Sequence, residues 1–269
     1  MSEYILEMEH ISKSFSRVKV LDDVSLKVRA GEVHAIVGEN GAGKSTLMKI
    51  LTGVYSPDGG EIRLHGKKVE IHNPRMALAH GIAMIYQELN PVLDQDVAEN
   101  IFLGRELIRY HFGPLSIVDK QAQHQHTQEL FARMGVDIPS KALMRQLSVA
   151  QKQLVEIVKA ISLSCSVVVM DEPTSALTEK EVATLFEQIE KLRSQGVAII
   201  YISHRLEEVF KIADTITVLR DGRLIGTDSV SNFDHDKLIR MMVGRNIEEF
   251  YPKQNVPIGE VVLEVRNLS

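Results

Sequence analysis

The sequence predicts an α/β fold: a largely parallel sheet with helices packed on it, preceded by an antiparallel β unit and interrupted by a helical insertion. Three observations predict it. Short β-branched runs, "VHAIV", "VVVM" and "VAIIYI", alternate with helical patterns such as "EKEVATLFEQIEKLRSQG", the texture of strands buried on both faces. A glycine-rich turn, "GENGAGKST", stands between one such strand and a helix. The first 70 residues carry strand signals separated by turn signals. With 269 residues, 44% hydrophobic and 25% charged, the chain can bury one large core or two small ones.

The elements follow in order. "YILEMEHI", "VSLKV" and "EIRLHGKKVEI" read as antiparallel strands, the last folding back at His65-Gly66, a hairpin turn in composition. "VHAIVGENGAGKSTLMKILTG" reads as strand, turn and a helix starting at Lys44. From about Asn90 to Ser164 the texture becomes helical, with Val118, Ala122, Leu130, Phe131 and Met134 spaced to share one helix face. Then come the strand "VVVMDEP", a helix, the strand "VAIIYI" and "TITVLRDGRLIGT", whose Asp221-Gly222 reads as a hairpin turn. His124 and His126 would diverge on a helix and read as part of a solvated face. Cys165, just before a buried strand, reads as a small core residue.

Composition excludes several function classes. A net charge of −5 offers no basic footprint for nucleic acid. The single cysteine excludes an internal disulfide and fits a reducing compartment. The N-terminal "MSEYILEMEH" is acidic where a signal peptide needs a basic start. No stretch approaches the roughly 18 apolar residues of a membrane span, so any link to a membrane is expected to run through a partner.

The segment Gly38, Glu39, Asn40, Gly41, Ala42, Gly43, Lys44, Ser45, Thr46 matches G-x-x-x-x-G-K-[ST] in the strand-to-helix context that motif requires. Its glycines let successive backbone N–H groups turn inward toward phosphate oxygens. The helix N-terminus adds positive potential. Lys44 supplies a point charge for the β and γ phosphates and Ser45 a hydroxyl for Mg²⁺. Asp171 and Glu172 lie at the carboxyl end of a buried strand. There Asp171 can orient Mg²⁺ and its waters, while Glu172 can take a proton from an attacking water.

Five segments in order, "GENGAGKST", Gln87 in "MIYQE", "QLSVAQKQLVEIVKA", "VVVMDEPTSALT" and His204 in "YISHR", resemble the ATP-binding cassette (ABC) ATPases, over the chain to about Phe250. The resemblance implies a P-loop NTPase core with an N-terminal antiparallel β subdomain and a helical subdomain at about 90–164, together forming a nucleotide-binding domain over 1–255 that binds ATP and Mg²⁺. "PTSALTEKEV" and the non-glycine signature resemble import ATPases for ribose, galactose and related monosaccharides. By resemblance Phe15 stacks on adenine, Gln87 touches Mg²⁺ and the water while its loop faces the membrane partner, and His204 contacts the γ-phosphate. Ser148 and Gln151 belong to the signature offered to a nucleotide on an opposing cassette. Read without the motif order, Phe15 is equally a turn or core aromatic, Gln87 a surface residue and His204 a structural histidine.

Two departures stand out. The family signature Leu-Ser-Gly-Gly-Gln is here Leu147-Ser148-Val149-Ala150-Gln151, and Thr178 stands where an aspartate is usual. Val149 and Ala150 are expected to crowd the helix's approach to the opposing γ-phosphate, giving unequal sites. The tail "VVLEVRNLS" aligns with "YILEMEHIS" through Leu263, Glu264 and Ser269 on Leu6, Glu7 and Ser12. Residues 256–269 therefore read as a linker and the first strand of a second cassette. The resemblance further implies permease subunits, an extracytoplasmic sugar-binding protein acting indirectly, and a peripheral position on the cytoplasmic face of the inner membrane. A soluble ABC ATPase of ribosomes or DNA repair is the alternative. A GTPase would need Asn-Lys-x-Asp, and no Asn here precedes Lys.

Overall fold

The computed structural model describes residues 3–86, 90–112, 115–162, 165–175 and 177–244, together with Leu263 and Arg266. Strands β1 (Leu6–Phe15), β2 (Val18–Val28), β4 (Gly59–Leu64) and β5 (Lys67–Val69) form an antiparallel sheet in the order β2-β1-β4-β5. Alternation sets its two faces: Leu6 and Met8 are buried, while Glu7 and Glu9 turn outward to Lys27 of β2 at 3.2 and 3.1 Å. His65 and Gly66, at φ of 50° and 75°, make the expected hairpin.

The central sheet has the order β12-β11-β3-β10-β9-β6 among the described residues. Strands β3 (Val33–Val37), β6 (Ile82–Ile85), β9 (Val167–Asp171), β10 (Ala198–Ile202) and β11 (Thr215–Arg220) run parallel, and β12 (Arg223–Ser229) turns back antiparallel at Asp221-Gly222. Every residue of β3, β9 and β10 is buried, because helices or the antiparallel sheet cover both faces. Val167 and Val169 point into a core shared with helix α1 (Lys44–Leu51) and the antiparallel sheet. Val168 and Met170 point the other way, to helices α5 (Val149–Ile161) and α6 (Glu179–Ser194). Helix α2 (Pro74–Ala79) flanks β6, and α7 (Leu206–Ile212) and α8 (His235–Val243) pack a third cluster on β11.

The insertion departs from a purely helical texture. Between α3 (Val97–Ile101) and α4 (Lys120–Met134) lies an antiparallel hairpin, β7 (Ile108–Phe112) with β8 (Leu115–Val118). Val118 therefore belongs to a strand. Asp119 caps α4 by accepting from Ala122 N–H, and the resulting phase buries Gln123, Thr127, Phe131 and Met134, leaving Ala122 and Leu130 half-buried. His126 is exposed, but the side chain of His124 is only 17% exposed and its Nε2 lies 3.6 Å from Asp96 Oδ2. The solvated reading fails for His124 because α4 packs on α3, whose N-cap is Asp96.

Among the described residues no helix is long and apolar enough to cross a membrane. Leu263 is 79% exposed; of the tail "VVLEVRNLS", everything but Leu263 and Arg266 lies outside the described residues.

Candidate active site

Parallel register brings three segments to one edge. Ile202 of β10 pairs with Asp171 of β9 on one side and Ile36 of β3 on the other. Residues just beyond, Gly38, Glu172 and His204, therefore emerge together at the carboxyl ends, where open α/β sheets take ligands.

The glycine-rich loop fills the gap between β3 and α1. A side chain on Gly38 would put its Cβ 2.1 Å from the Leu219 carbonyl oxygen, and one on Gly43, at φ 100°, would meet Leu21 Cδ2 at 2.6 Å. Only glycine fits against these walls. Lys44 is buried, and its Nζ donates to the carbonyls of Gly38 at 2.7 Å and Glu39 at 3.0 Å. Burial pulls its ammonium below the usual lysine range, with the charges of Glu172 and Asp171 working against that shift. Glu39, Asn40 and Gly41 are exposed, Ala42 is buried, Ser45 is exposed and Thr46 half-buried. The loop is thus anchored at its base and open at its crest.

Asp171 is buried, with the Ser45 hydroxyl beside it. Burial holds its carboxyl above the usual aspartate range; the Ser45 hydroxyl pulls the other way, and the Glu172 charge adds to the rise. A hydroxyl beside a carboxylate that burial makes reluctant to ionise suits a hard divalent cation, which prefers oxygen ligands and favours the ionised form. Ser45 and Asp171 therefore fit Mg²⁺.

Glu172 adopts a left-handed φ of 47°, uncommon for a side chain of this kind. Its N–H donates to the Ile202 carbonyl at 2.9 Å, across to the neighbouring strand. This departure from strand geometry swings Glu172 out of the sheet, where His204 Nδ1 lies 3.2 Å from its Oε1. Such local strain is found where a functional side chain must be aimed.

Phe15 sits beside the tip of the β1–β2 hairpin, 38% exposed, edge-on to Tyr55 at 5.0 Å and with Lys13 Nζ 5.5 Å from its ring centroid. The same hairpin contacts the phosphate loop through Val20 and Leu21. Gln87 lies outside the described residues. Ser148 caps α5 in a reciprocal arrangement: Gln151 N–H donates to Ser148 Oγ at 3.2 Å, and Ser148 N–H to Gln151 Oε1 at 3.0 Å. Of the two residues replacing the signature glycines, only Val149 stands out, 49% exposed, whereas Ala150 is buried. At this helix start Val149 therefore presents its side chain outward and Ala150 does not. Thr178 caps α6, its backbone N–H and hydroxyl both donating to Glu181 Oε2.

Sequence reasoning missed Glu208. It is buried, and Thr174, Tyr201, Ser203 and Arg205 all donate to its carboxylate. Glu207 and Glu208 adjoin in the first turn of α7, and nothing local to the sequence separates the buried one from its neighbour.

A family model described as "ABC transporter" matches residues 21–175, more than half of the chain. The chain is 54% identical to a protein of Rhizobium etli named for ribose/galactose/methyl galactoside import and ATP binding, over 99% of this chain and 51% of that protein. A relative of the same name from Rhizobium meliloti is 52% identical over 100% of the chain and 52% of its own length, and one from Ralstonia nicotianae 53% over 98% and 50%. The chain thus spans about half the length of the relatives it matches. A nucleotide-free ATP-binding cassette from an ABC transporter superposes with a TM-score of 0.75 at 26% identity, covering 90% of this chain and 96% of that one. A cassette in its ADP conformation does so with a TM-score of 0.77 at 25% identity, covering 94% and 100%.

Proposed function

The chain belongs to the ABC transporter family, and from that premise we propose that it is the ATP-hydrolysing cassette of a monosaccharide importer, of the ribose or galactose kind for which its relatives are named. The observation that carries this reading is the meeting of Glu172 and His204, 3.2 Å apart, beside the loop that buries Lys44. Phe15 offers a ring face to adenine. Backbone N–H groups from Gly38 to Thr46 hold the phosphates, and Lys44, already turned into the loop, neutralises charge on the β and γ groups. Ser45 and Asp171 would hold Mg²⁺, which would supply further positive charge at the phosphates. Glu172 takes the proton from the attacking water. His204, with Nδ1 on Glu172, orients that carboxylate and, with a proton on each ring nitrogen, donates from Nε2 to a γ-phosphate oxygen.

The partners belong to the same reading. A second cassette closes the site by docking its signature helix across the γ-phosphate, and relatives of twice this length support its presence in one protein. Val149 weakens the signature this chain offers in return, so the two sites are unequal. A groove of about 350 Å³ is lined by Ala77, Leu78, Met84, Tyr86 and Asn90, with Glu156 and Lys159 also on its wall; its apolar part suits a segment of the permease, while the sugar-binding protein acts through that permease. The domain extends over 1–255 with its helical subdomain at about 90–164, the residues from 256 begin the second cassette, and the assembly sits on the cytoplasmic face of the membrane.

The test is uptake. Vesicles carrying the full-length protein with its permease and sugar-binding protein are expected to accumulate labelled monosaccharide on addition of MgATP. Glu172→Gln should bind MgATP as before while hydrolysis falls by ~10²–10⁴-fold, the span of a lost general base, and uptake stops. Undiminished uptake by that variant would refute the reading.

A further inference from the structure

Two loops carry the reacting side chains, and one buried carboxylate joins them. Glu172 begins the segment that continues through Thr174, and His204 stands between Ser203 and Arg205. Thr174 Oγ1 donates to Glu208 Oε2 at 2.7 Å, Tyr201 Oη donates to the same oxygen at 2.7 Å, and Ser203 Oγ lies 3.4 Å from it. Arg205 Nη1 donates to Glu208 Oε1 at 2.8 Å, and Arg205 N–H returns to Ser203 Oγ at 3.0 Å. Glu208, Thr174, Ser203 and Tyr201 are 8%, 2%, 2% and 0% exposed. The bonds from Thr174, Tyr201 and Ser203 therefore form largely out of water, where charge-assisted hydrogen bonds are strong, whereas the Arg205 side chain is 49% exposed.

The arrangement is more than a core network, because its anchor points bracket both reacting groups. Thr174 is two residues past Glu172, with Ser175 N–H donating to the Glu172 carbonyl at 3.3 Å. Ser203 and Arg205 flank His204 on both sides. Besides the Glu172–His204 contact, the Glu172 N–H also donates across to the Ile202 carbonyl at 2.9 Å. That bond fixes the Glu172 backbone but not the height of His204 above it. The His204 side chain is 62% exposed, so packing alone does not hold the ring. Burial and the Glu208 charge push the Tyr201 hydroxyl well above its usual range, so Tyr201 remains a donor at all ordinary pH.

We propose that Glu208 is a positioning residue for hydrolysis: by tying Thr174 to Ser203 and Arg205, it sets the spacing of Glu172 and His204. Glu208 lies beneath the two loops and acts through them. The inference rests on the hydrolytic reading above. A misplacement of about 1 Å at a reacting group costs on the order of 10²-fold in rate, and loss of an orienting partner costs about 10–100-fold.

The experiment uses the full-length protein and measures MgATP affinity, kcat, KM and melting temperature for wild type, Glu208→Gln, Thr174→Val and the double variant. Wild type that binds but never hydrolyses ATP, with or without its permease, would overturn the hydrolytic reading itself. Given wild-type turnover, Glu208→Gln is expected to lower kcat by about 10–100-fold with affinity and KM within about threefold, since the phosphate loop is untouched. Thr174→Val should lower kcat in the same direction, and the double variant should be no worse than Glu208→Gln, because both changes cut one tie. A folded Glu208→Gln with wild-type kcat, or losses that multiply in the double variant, would overturn the inference. Should Glu208→Gln not fold, an unchanged kcat in Thr174→Val would do so.

Discussion

Asp171 and Glu172 are neighbours with different electrostatic problems. Asp171 is buried, and its carboxyl is held above its ordinary range chiefly by that burial; Glu172, on a left-handed backbone, is aimed at His204. The folded protein holds the Asp171 proton more tightly than an unfolded chain would. The stability that this group withholds is therefore greatest at neutral pH and vanishes as pH falls through its raised folded value. Asp171→Asn is expected to raise the melting temperature at neutral pH by a few degrees, to lose that advantage in acid, and to abolish Mg²⁺-dependent hydrolysis. An equal melting difference at both pH values would show that charge burial is not the cause. Lys44, Ser45, Asp171 and Glu172 were legible in the sequence because their chemistry demands fixed spacing along the chain. Glu208 was not, since its partners at 174, 201, 203 and 205 converge only after β9 and β10 align.

At the scale of elements, the signals that fix local backbone geometry were readable. His65-Gly66 and Asp221-Gly222 carry the positive φ values that their hairpins need, and the helix after the phosphate loop starts at Lys44. The β7–β8 hairpin was hidden because "IRYHF" is short and set within a helical texture, and of the residues expected on the α4 face only Val118 falls outside the helix, because Asp119 decides where it begins. Helix α5 shows how one start can serve stability and function separately. Ser148→Ala removes the cap and is expected to cost about 1 kcal/mol, read as a lower urea midpoint with unchanged slope. Val149→Gly clears the exposed position and is expected to raise ATP turnover at the partner cassette of the full-length protein; no rise would mean that Val149 does not crowd that site.

The whole molecule is a sheet whose carboxyl edge gathers a phosphate loop, a carboxylate pair and a histidine. The match takes in 99% of the chain but only 51% of its Rhizobium etli relative. Burial on both faces of β3, β9 and β10 made the parallel sheet readable from composition, whereas the convergence of its loops depends on strand order, which no local pattern encodes. The carboxyl edge of this sheet is expected to bind MgATP. Calorimetric titration of the chain with MgATP, alongside Lys44→Ala, tests it most directly. One-to-one binding in the micromolar range, about −8 kcal/mol, weakened at least ~10-fold by Lys44→Ala, is the predicted result. A folded chain that takes up no MgATP, or a Lys44→Ala variant that binds it equally well, would mean that this edge is not a nucleotide site.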